Sequence, residues 1–546
     1  MTQERLASPR SDAPTLQTAD GTVNRREFVQ MVGLAVGGSS LTGLLPSGAA
    51  AQSIAPAAGP QPRKGGVLKV ANPAEPSSLD PVFTTQTLTA DMSTNYFEGL
   101  LAFSSRYAPK PMLAESYETS KDAKTYTFAL RKGITFHNGK EMTSADVAAS
   151  LKRWLEIGTR GRTIASRVDQ VRSRDQHTVV VQFKEPTALF PFYLCLQEAG
   201  VAPEEVASAA GKNQMKQVIG TGPYRIAEHL PDRYIRLARH DGYVPRAEAP
   251  DGRSGRKMAY LDEIRYIPAS ETATRADGLV TGEYQFAEMI SPDSYANLSK
   301  NPQLALFIVK PLQWYAVHMN KKQGLFRDVR MRRAIQKAID PVPGAKAAFG
   351  SEMFYRLDPG IAGPETIWHT DVSKELYNRP NPEEAKALLK EAGYKGEPVV
   401  WLTNKDSAFN YTLALTFKGQ LEAIGMSVDL QAVDQGTMNS RRAKPDLWNA
   451  FITGHNSFEH PLLLPFLSAS WPGWWESADK DRLLAAIAAE PNEKKGLGLI
   501  QELQSLIYKE AAIVKVCDFF TVRGGRKEVR GYANMAAMFF FNVWLA

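Results

Sequence analysis

Two histidines five residues apart, His455 and His460, and two cysteines, Cys195 and Cys517, are the first side chains to invite a chemical reading. The histidine spacing, in a loop, is not that of a zinc site. Two cysteines build neither a metal cluster nor a CxxC redox pair. Cys195 lies in the apolar run Phe190-Pro191-Phe192-Tyr193-Leu194. A buried free thiol and one half of a single disulfide in an oxidising compartment both fit it. The signatures GxSxG, HExxH, GxGxxG and the P-loop are absent. Carboxylates are abundant, but no spacing marks an acid/base pair. No catalytic residue, metal ligand or cofactor is assigned. What remains is the chemistry of non-covalent capture. Phe83, Trp314, Tyr315, Trp401, Phe409, Phe458, Trp471, Trp474 and Trp475 stand near polar loop residues. Such aromatics suit a pocket for varied or flat groups, although aromatics in a large protein are more often core.

These residues need elements to hold them. Gly66 to Ala71 reads as a first strand, followed by a proline-rich loop to Pro81 that excludes a helix. Thr125 to Leu130 alternates polar and apolar, the pattern of a half-buried strand. Asn138-Gly139 signals a tight turn. Thr143 with Asp146 three residues on is an imperfect capping box, before a helix face of Val147, Leu151, Trp154 and Leu155. Asp328 caps a helix with Met331, Ala334, Ile335, Ala338 and Ile339 on one side. Asn381-Pro382 starts another, with Ala385, Leu388, Leu389 and Ala392, and Gly393 stops it. A strand at Val399 to Leu402, a helix through Leu413, Phe417, Leu421 and Ile424, and a strand at Val428 to Val433 complete an alternation that argues for an α/β layer.

The chain has 546 residues, more than one ordinary core holds, so two or more domains are expected. Hydrophobic content of 43% and charged content of 23% are those of a soluble globular protein. The formal net charge is +7, but no Lys/Arg-rich run accompanies it, and no nucleic-acid partner is expected. Asn24-Arg25-Arg26-Glu27-Phe28, a mild apolar run from Met31 to Leu45, and Ala49-Ala50-Ala51 form an export signal over 1–51. The paired arginines resemble a twin-arginine (Tat) signal. No Cys stands at the cleavage site, so a lipid anchor is not expected. No later stretch is long and apolar enough to span a bilayer. Residues 52–64 read as a flexible Ala/Pro-rich linker.

Several stretches together resemble the bacterial family 5 extracellular solute-binding proteins, the peptide/nickel receptors of ABC transporters. They are Gly65 to Val70 with Pro76-Ser77-Ser78-Leu79-Asp80-Pro81, then Tyr96-Phe97-Glu98-Gly99-Leu100 and Leu113-Ala114-Glu115-Ser116-Tyr117. Lys124 to Gly139, Thr143 to Val147 and Gly220-Thr221-Gly222-Pro223-Tyr224 come next. Phe326 to Ile335 and Asn381 to Leu389 complete the set. They run in the family's order and cover most of 65–460.

The resemblance implies an α/β, two-lobed periplasmic-binding-protein fold with a hinge. Lobe I is expected at 65–308, with an extra subdomain at about 85–215. Lobe II is expected at 309–511, and 512–546 return to lobe I. The implied function is that of a periplasmic receptor of an ABC importer. It would capture a peptide or peptide-like solute in the cleft between lobes and deliver it, as a monomer, to permease subunits in the inner membrane. A metal-chelate receptor of the nickel type is the alternative, and an exported hydrolase a more distant one.

The expected ligand-binding residues are Phe83, Thr84, Thr85, Gln86, Trp314, Asn404, Phe409, Asn410, His455, Asn456, Phe458, Glu459 and Trp474. In dipeptide receptors of the family a Thr-Gly-Asp-Asn stretch supplies a carboxylate to the peptide's ammonium group. Here Thr453-Gly454-His455-Asn456 puts an imidazole in that place, mostly neutral near pH 7. Glu459 is a candidate substitute carboxylate. Exchange of His455 is expected to change affinity or selectivity at little cost in thermal stability.

Overall fold

The computed structural model describes residues 61–546; the export signal and most of the linker lie outside the described residues. In chain order the principal strands are β1 Val67–Asn72, β2 Ala114–Thr119, β3 Thr125–Leu130, β4 Val168–Asp175, β5 Thr178–Phe183, β6 Tyr224–Leu230 and β7 Tyr234–Arg239. They continue with β8 Glu263–Pro268, β9 Phe286–Ile290, β10 Leu304–Met319, β11 Val399–Asn404, β12 Val428–Val433, β13 Ala450–Asn456 and β14 Ile513–Arg526. The principal helices are α1 Thr87–Ser93, α2 Ser144–Ile157, α3 Thr159–Ala165, α4 Thr272–Thr281, α5 Val329–Ala338, α6 Pro382–Glu391, α7 Ala408–Ala423, α8 Ala478–Ala489 and α9 Glu493–Lys509.

Two strands are far longer than the rest. β10 has 16 residues and β14 has 14. At about 3.3 Å per residue, β10 is roughly 50 Å long, enough to run through two layers. The two pair antiparallel, Leu304 opposite Arg526 at one end and His318 opposite Ile513 at the other. The sheet order is β12-β11-β13-β10-β14-β9-β1-β8-β7-β6, with Tyr355–Arg356 added on β14. β9 joins β14 at Val522 to Gly525, whereas β13 joins β10 at Gln313 to Met319. The same two strands thus carry one half-sheet at each end. Their register slips between Val309 and Gln313, across the cis Lys310–Pro311 bond. Pro311 has no N–H to give the ladder.

Both halves are packed on hydrophobic clusters, one of which also takes in Ala71, Leu279, Ala287 and Ile290 beside the crossing strands. In lobe I, Leu68, Val70, Tyr266, Phe286 and Phe540 pack together; in lobe II, Trp401, Leu413, Phe417, Met331 and Ile335 do so. The subdomain is a second sheet, β2-β3-β5-β4, backed by α2. Its core, with Phe128, Trp154 and Phe190, continues into Trp314, Phe466 and Trp475 of lobe II. The two lobes therefore touch through the subdomain as well as through the crossing strands.

Local signals hold where neighbouring residues set them. Thr143 N donates to Asp146 Oδ2 at 2.8 Å, and Val147, Leu151 and Trp154 are buried. Asp328 accepts from Arg330 N and Asn381 from Glu384 N. Gly220-Thr221-Gly222 is explained by close approach. A Cβ on Gly220 would lie 2.0 Å from Tyr96 O, and one on Gly222 would lie 2.6 Å from Asn95 O. Cys195 and Cys517 are both buried and free, so the single disulfide that their number allows is not formed.

Lobe I also buries a charged cluster. Asn72 of β1, Glu288 of β9 and Arg523 of β14 stand next to the register pairs Ala71↔Ala287 and Ala287↔Gly524, where the β9–β14 register then shifts. Asp91 of α1 lies buried beside Arg523 and feels the Glu288 charge. Arg523 lies 3.8 Å from Asp91 and 3.6 Å from Glu288. Burial, then the Glu288 charge, push Asp91 up to about 8, against the pull of Arg523. The unfolded chain ionises an Asp near about 4. Between those values the unfolded state sheds a proton that the folded state keeps, so this residue's contribution to stability falls as pH rises. Asp91→Asn has no such proton. Relative to the native chain it is expected to gain at least about 1 kcal/mol of stability between about pH 5 and pH 8. Urea unfolding of both proteins at each pH measures this, and a difference that does not move with pH counts against the buried carboxyl pair.

Candidate ligand cleft

Strand direction locates the cleft. β1, β8 and β9 are mutually parallel, and β9 ends with Ile290 opposite Val522, next to the crossing. β11, β12 and β13 are mutually parallel, and β13 ends with Asn456 opposite Gln313, next to the crossing from the other side. Both halves thus aim carboxyl ends of parallel strands at the same place. In open α/β sheets that is where ligands bind. Several buried polar atoms near these ends have no protein partner: Asn72 Oδ1 and Asn534 Oδ1 in lobe I, Thr403 Oγ1, Asn410 Oδ1 and Ser457 Oγ in lobe II. Buried polar atoms are ordinarily hydrogen-bonded.

The residues expected from sequence divide into groups. Phe83 is 46% exposed, in the turn between β1 and α1. Thr84 Oγ1 accepts from Gln86 N at 3.1 Å, Gln86 Oε1 accepts from Ser77 N at 2.7 Å, and Thr85 is exposed. Across the crossing, Asn404 ends β11 and its Oδ1 accepts from Asp406 N at 2.7 Å. Phe409 rests on Phe349 and Phe519, ring centres 5.2 and 5.0 Å away. Asn410 stands in the first turn of α7, its N–H capped by Ser407.

His455 is enclosed. Its Nε2 meets Nε2 of His318 at 2.9 Å, and Trp314, Phe466 and Trp471 surround the pair. Burial, with Arg442 nearby, lowers His455 to about 3, and burial lowers His318 well below its ordinary value. Both rings are neutral at pH 7, one donating to the other. Trp314 is fully buried, and its Nε1 donates to Ile361 O at 3.0 Å. Trp474 stacks on Trp448 at 5.5 Å, within a small cluster that also holds Leu402 and Phe451.

Asn456, Phe458 and Glu459 face the other lobe. Glu459 Oε1 accepts from Asn456 Nδ2 at 2.9 Å and from Arg160 of the subdomain at 3.1 Å. Phe458 stacks on Tyr107 of the subdomain at 5.6 Å. Arg106 donates to Thr366 O at 2.9 Å, and Ile367 N donates back to Arg106 O at 3.1 Å. The lobes are bonded to each other along this line.

Sequence reading missed the charged residues at the crossing. Arg356 donates to Glu365 Oε1 and to Asp518 Oδ2, each at 2.7 Å, and lies over Phe520 at 5.1 Å. Lys310 lies over the same ring at 4.6 Å. Burial opposes the Arg356 charge, but the two carboxylates hold its pKa above the ordinary value. Asp518 also receives Lys515 at 2.8 Å. No local pattern marks these residues, because Tyr355–Arg356 reaches β14 only through long-range pairing.

The expectation that His455 could be exchanged at little cost in stability gives way here. His455→Ala leaves the His318 ring without its partner and opens a cavity inside aromatic walls. A loss of about 2–4 kcal/mol is expected. Guanidinium unfolding reads it as a lower midpoint at unchanged slope. A midpoint equal to the native one means that the pair contributes nothing to folding.

Comparison with known proteins places this geometry. The chain is 29% identical over 448 residues to a probable peptide ABC transporter periplasmic-binding protein of Sinorhizobium fredii, covering 79% of this chain and 84% of that protein. It is 25% identical over 474 residues to a glutathione-binding protein of Salmonella choleraesuis, covering 84% and 90%. The oligopeptide-binding protein AppA of Bacillus subtilis, solved with a nonapeptide, superposes with a TM-score of 0.70 at 21% identity, over 89% of this chain and 100% of that one. The sequence profile of the bacterial extracellular solute-binding proteins, family 5 (middle), matches residues 108–473. With two lobes joined by paired strands, and a profile match over most of its length, the chain belongs to the family 5 bacterial extracellular solute-binding proteins.

Proposed function

We propose that the protein is the substrate-binding receptor of an ABC importer, taking a peptide or peptide-like solute between its lobes and presenting the closed form to permease subunits in the inner membrane. The observation that carries this is the convergence of both sets of parallel strand ends on the crossing of β10 and β14. Support also comes from relatives named as peptide and glutathione receptors. Lobe I is 65–308 with 512–546, lobe II is 309–511, and the subdomain is about 85–215. Export through the Tat signal at 1–51 puts the receptor in the periplasm. Among the described residues no helix is long and apolar enough to cross a membrane. The protein works by capture and release, without turnover.

The solute-facing groups in this reading are Phe83 to Gln86 from lobe I and Asn404, Phe409, Asn410 and Asn456 to Glu459 from lobe II. His455 and Trp314 stand behind them. A ligand gripped by both lobes binds the closed state better than the open one, which is what drives closure. Shifting a population from mostly open to mostly closed takes about 5.5 kcal/mol of differential affinity. A site on one lobe alone makes equal contacts in both states and moves nothing.

Native mass spectrometry of the protein purified from its periplasm is expected to find a peptide-sized ligand in one-to-one complex. Stripping that ligand is expected to raise the radius of gyration in small-angle scattering, and re-addition to lower it. Scattering that stays the same with and without a saturating ligand would overturn capture by closure.

A further inference from the structure

β9 falls out of step at its carboxyl end. Ala287 and Ile290 both join the core that holds Leu279, although residues on one face of a strand recur every two positions. Their partners on β14, Gly524 and Val522, are two apart, so β9 carries one extra residue, a bulge. Glu288 turns inward, 3.6 Å from Arg523, and Met289 turns out. Met289 takes a φ of +52°, a left-handed conformation that favours glycine, and is 50% exposed. Arg275 of α4, itself buried, locks this conformation. Its guanidinium donates to Ala269 O at 2.6 Å and Ser270 O at 2.8 Å, just after β8, and to Glu288 O at 2.8 Å and Met289 O at 3.0 Å. The fold thus commits a buried charge to hold a strained residue whose side chain lies half in water.

We propose that Met289 touches the captured solute, and that the bulge presents it, together with Phe83, to an uncharged apolar side chain of that solute. The inference rests on the receptor reading above and names a contact and a ligand class within it. Position carries it first. β9 ends next to the crossing, where the parallel strand ends of both lobes converge. Phe83, 46% exposed, follows β1, which runs parallel to β9 and ends on the same side. Chemistry sets the class. Neither side chain offers a charge or an N–H, and the acid beside Met289 is held by Arg523. An unbranched thioether adapts to apolar groups of different shape. Strain is the third observation. A bulge re-aims a side chain, and backbone strain that the surrounding structure holds in place gathers at ligand sites. Burial of Met289 against a solute adds to the loaded state alone.

The ligand-stripped full-length mature protein selects from an equimolar mixture of two tripeptide libraries, one of Leu, Ile, Phe and Met, the other of Ser, Asn and Gln. Apolar peptides are expected to be enriched at least about fivefold, the effect of covering roughly 40 Å² of apolar surface. Met289→Gln keeps the length and the left-handed backbone but not the apolar surface. It is expected to lose the preference while polar peptides are still retained. Met289→Gly relieves the strain, so a higher urea midpoint is expected together with the same loss of preference. A preference unchanged in both variants overturns the proposal, whether or not the midpoint rises. Oxidation reads the contact directly. Met289 is half exposed with the lobes already bonded to each other, so closure alone does not shield it. In protein loaded with its co-purified ligand or the selected peptides, hydrogen peroxide is expected to convert Met289 to the sulfoxide at least about fivefold more slowly than in stripped protein. Equal rates overturn the proposal. If no ligand co-purifies and neither library is retained, the peptide reading falls, and the site is read with N-phenyl-1-naphthylamine, a neutral apolar fluorophore. A fluorescence gain that is lost in Met289→Gln sustains the apolar contact, and an equal response in both proteins removes it.

Discussion

The molecule depends on one antiparallel pairing. β10 and β14 are hydrogen-bonded at both ends, and each end is the inner strand to which a half-sheet is added. A backbone ladder resists breaking because every buried N–H and C=O must be paired. The weak point is therefore where the ladder lapses over the longest stretch, between Val309 and Gln313, around Pro311; a second, shorter shift lies between Tyr315 and Ala316. Bending there leaves the bonds on either side intact. Because the carboxyl ends of both parallel sets converge on that same point, the place that bends is also the place where loops from the two halves meet. Hinge and site are consequences of one topology.

What was legible in the sequence depends on the range of the forces involved. The caps at Thr143, Asp328 and Asn381 act within four residues, and the helices start where those residues say. Strands such as Thr125–Leu130 show their buried face by alternation. The loop ends that bear Phe83 to Gln86 and Asn404 to Asn410 could be named because they come after recognisable strands. The partners of the candidate residues could not. His318 lies 137 positions from His455, and nothing local in either stretch marks the pair. Arg160 and Glu459 are brought together only when the subdomain docks on lobe II. Arg356 was invisible for the same reason, since its two carboxylates come from a loop and from β14.

The His318–His455 pair changes how the lobe II wall must be read. An imidazole held neutral inside a ring of aromatics cannot answer an ammonium group, and its ring nitrogen is engaged with another imidazole. Glu459, the nearest alternative, is committed to Arg160 and Asn456. Glu365 and Asp518 are committed to Arg356. These three carboxylates are thus all paired within the protein. A ligand seeking one must compete with an arginine, and that competition carries a desolvation cost on both sides. Lys310, over the Phe520 ring, is the cation beside the crossing to which these bonds assign no carboxylate.

That pattern bears on how closure is driven. Stacking of Tyr107 on Phe458, the Arg106–Thr366 bonds and the shared core behind Trp314 all form between lobes from protein groups alone. Each favours the closed state whether or not a solute is present. The equilibrium responds to the sum of these contacts and the solute's own differential contacts. The more the subdomain contributes, the less the solute must, and the less selective closure becomes. Partly exposed ion pairs such as Arg160 with Glu459 contribute little, about 1 kcal/mol or less. Apolar contacts contribute in proportion to the area they cover. The polar bonds of this contact are therefore its smaller share, and the buried apolar contacts the larger. The closed state thus rests mainly on the stacked Tyr107 and Phe458 rings and the shared core, and a solute shifts the balance by what its own contacts add to these.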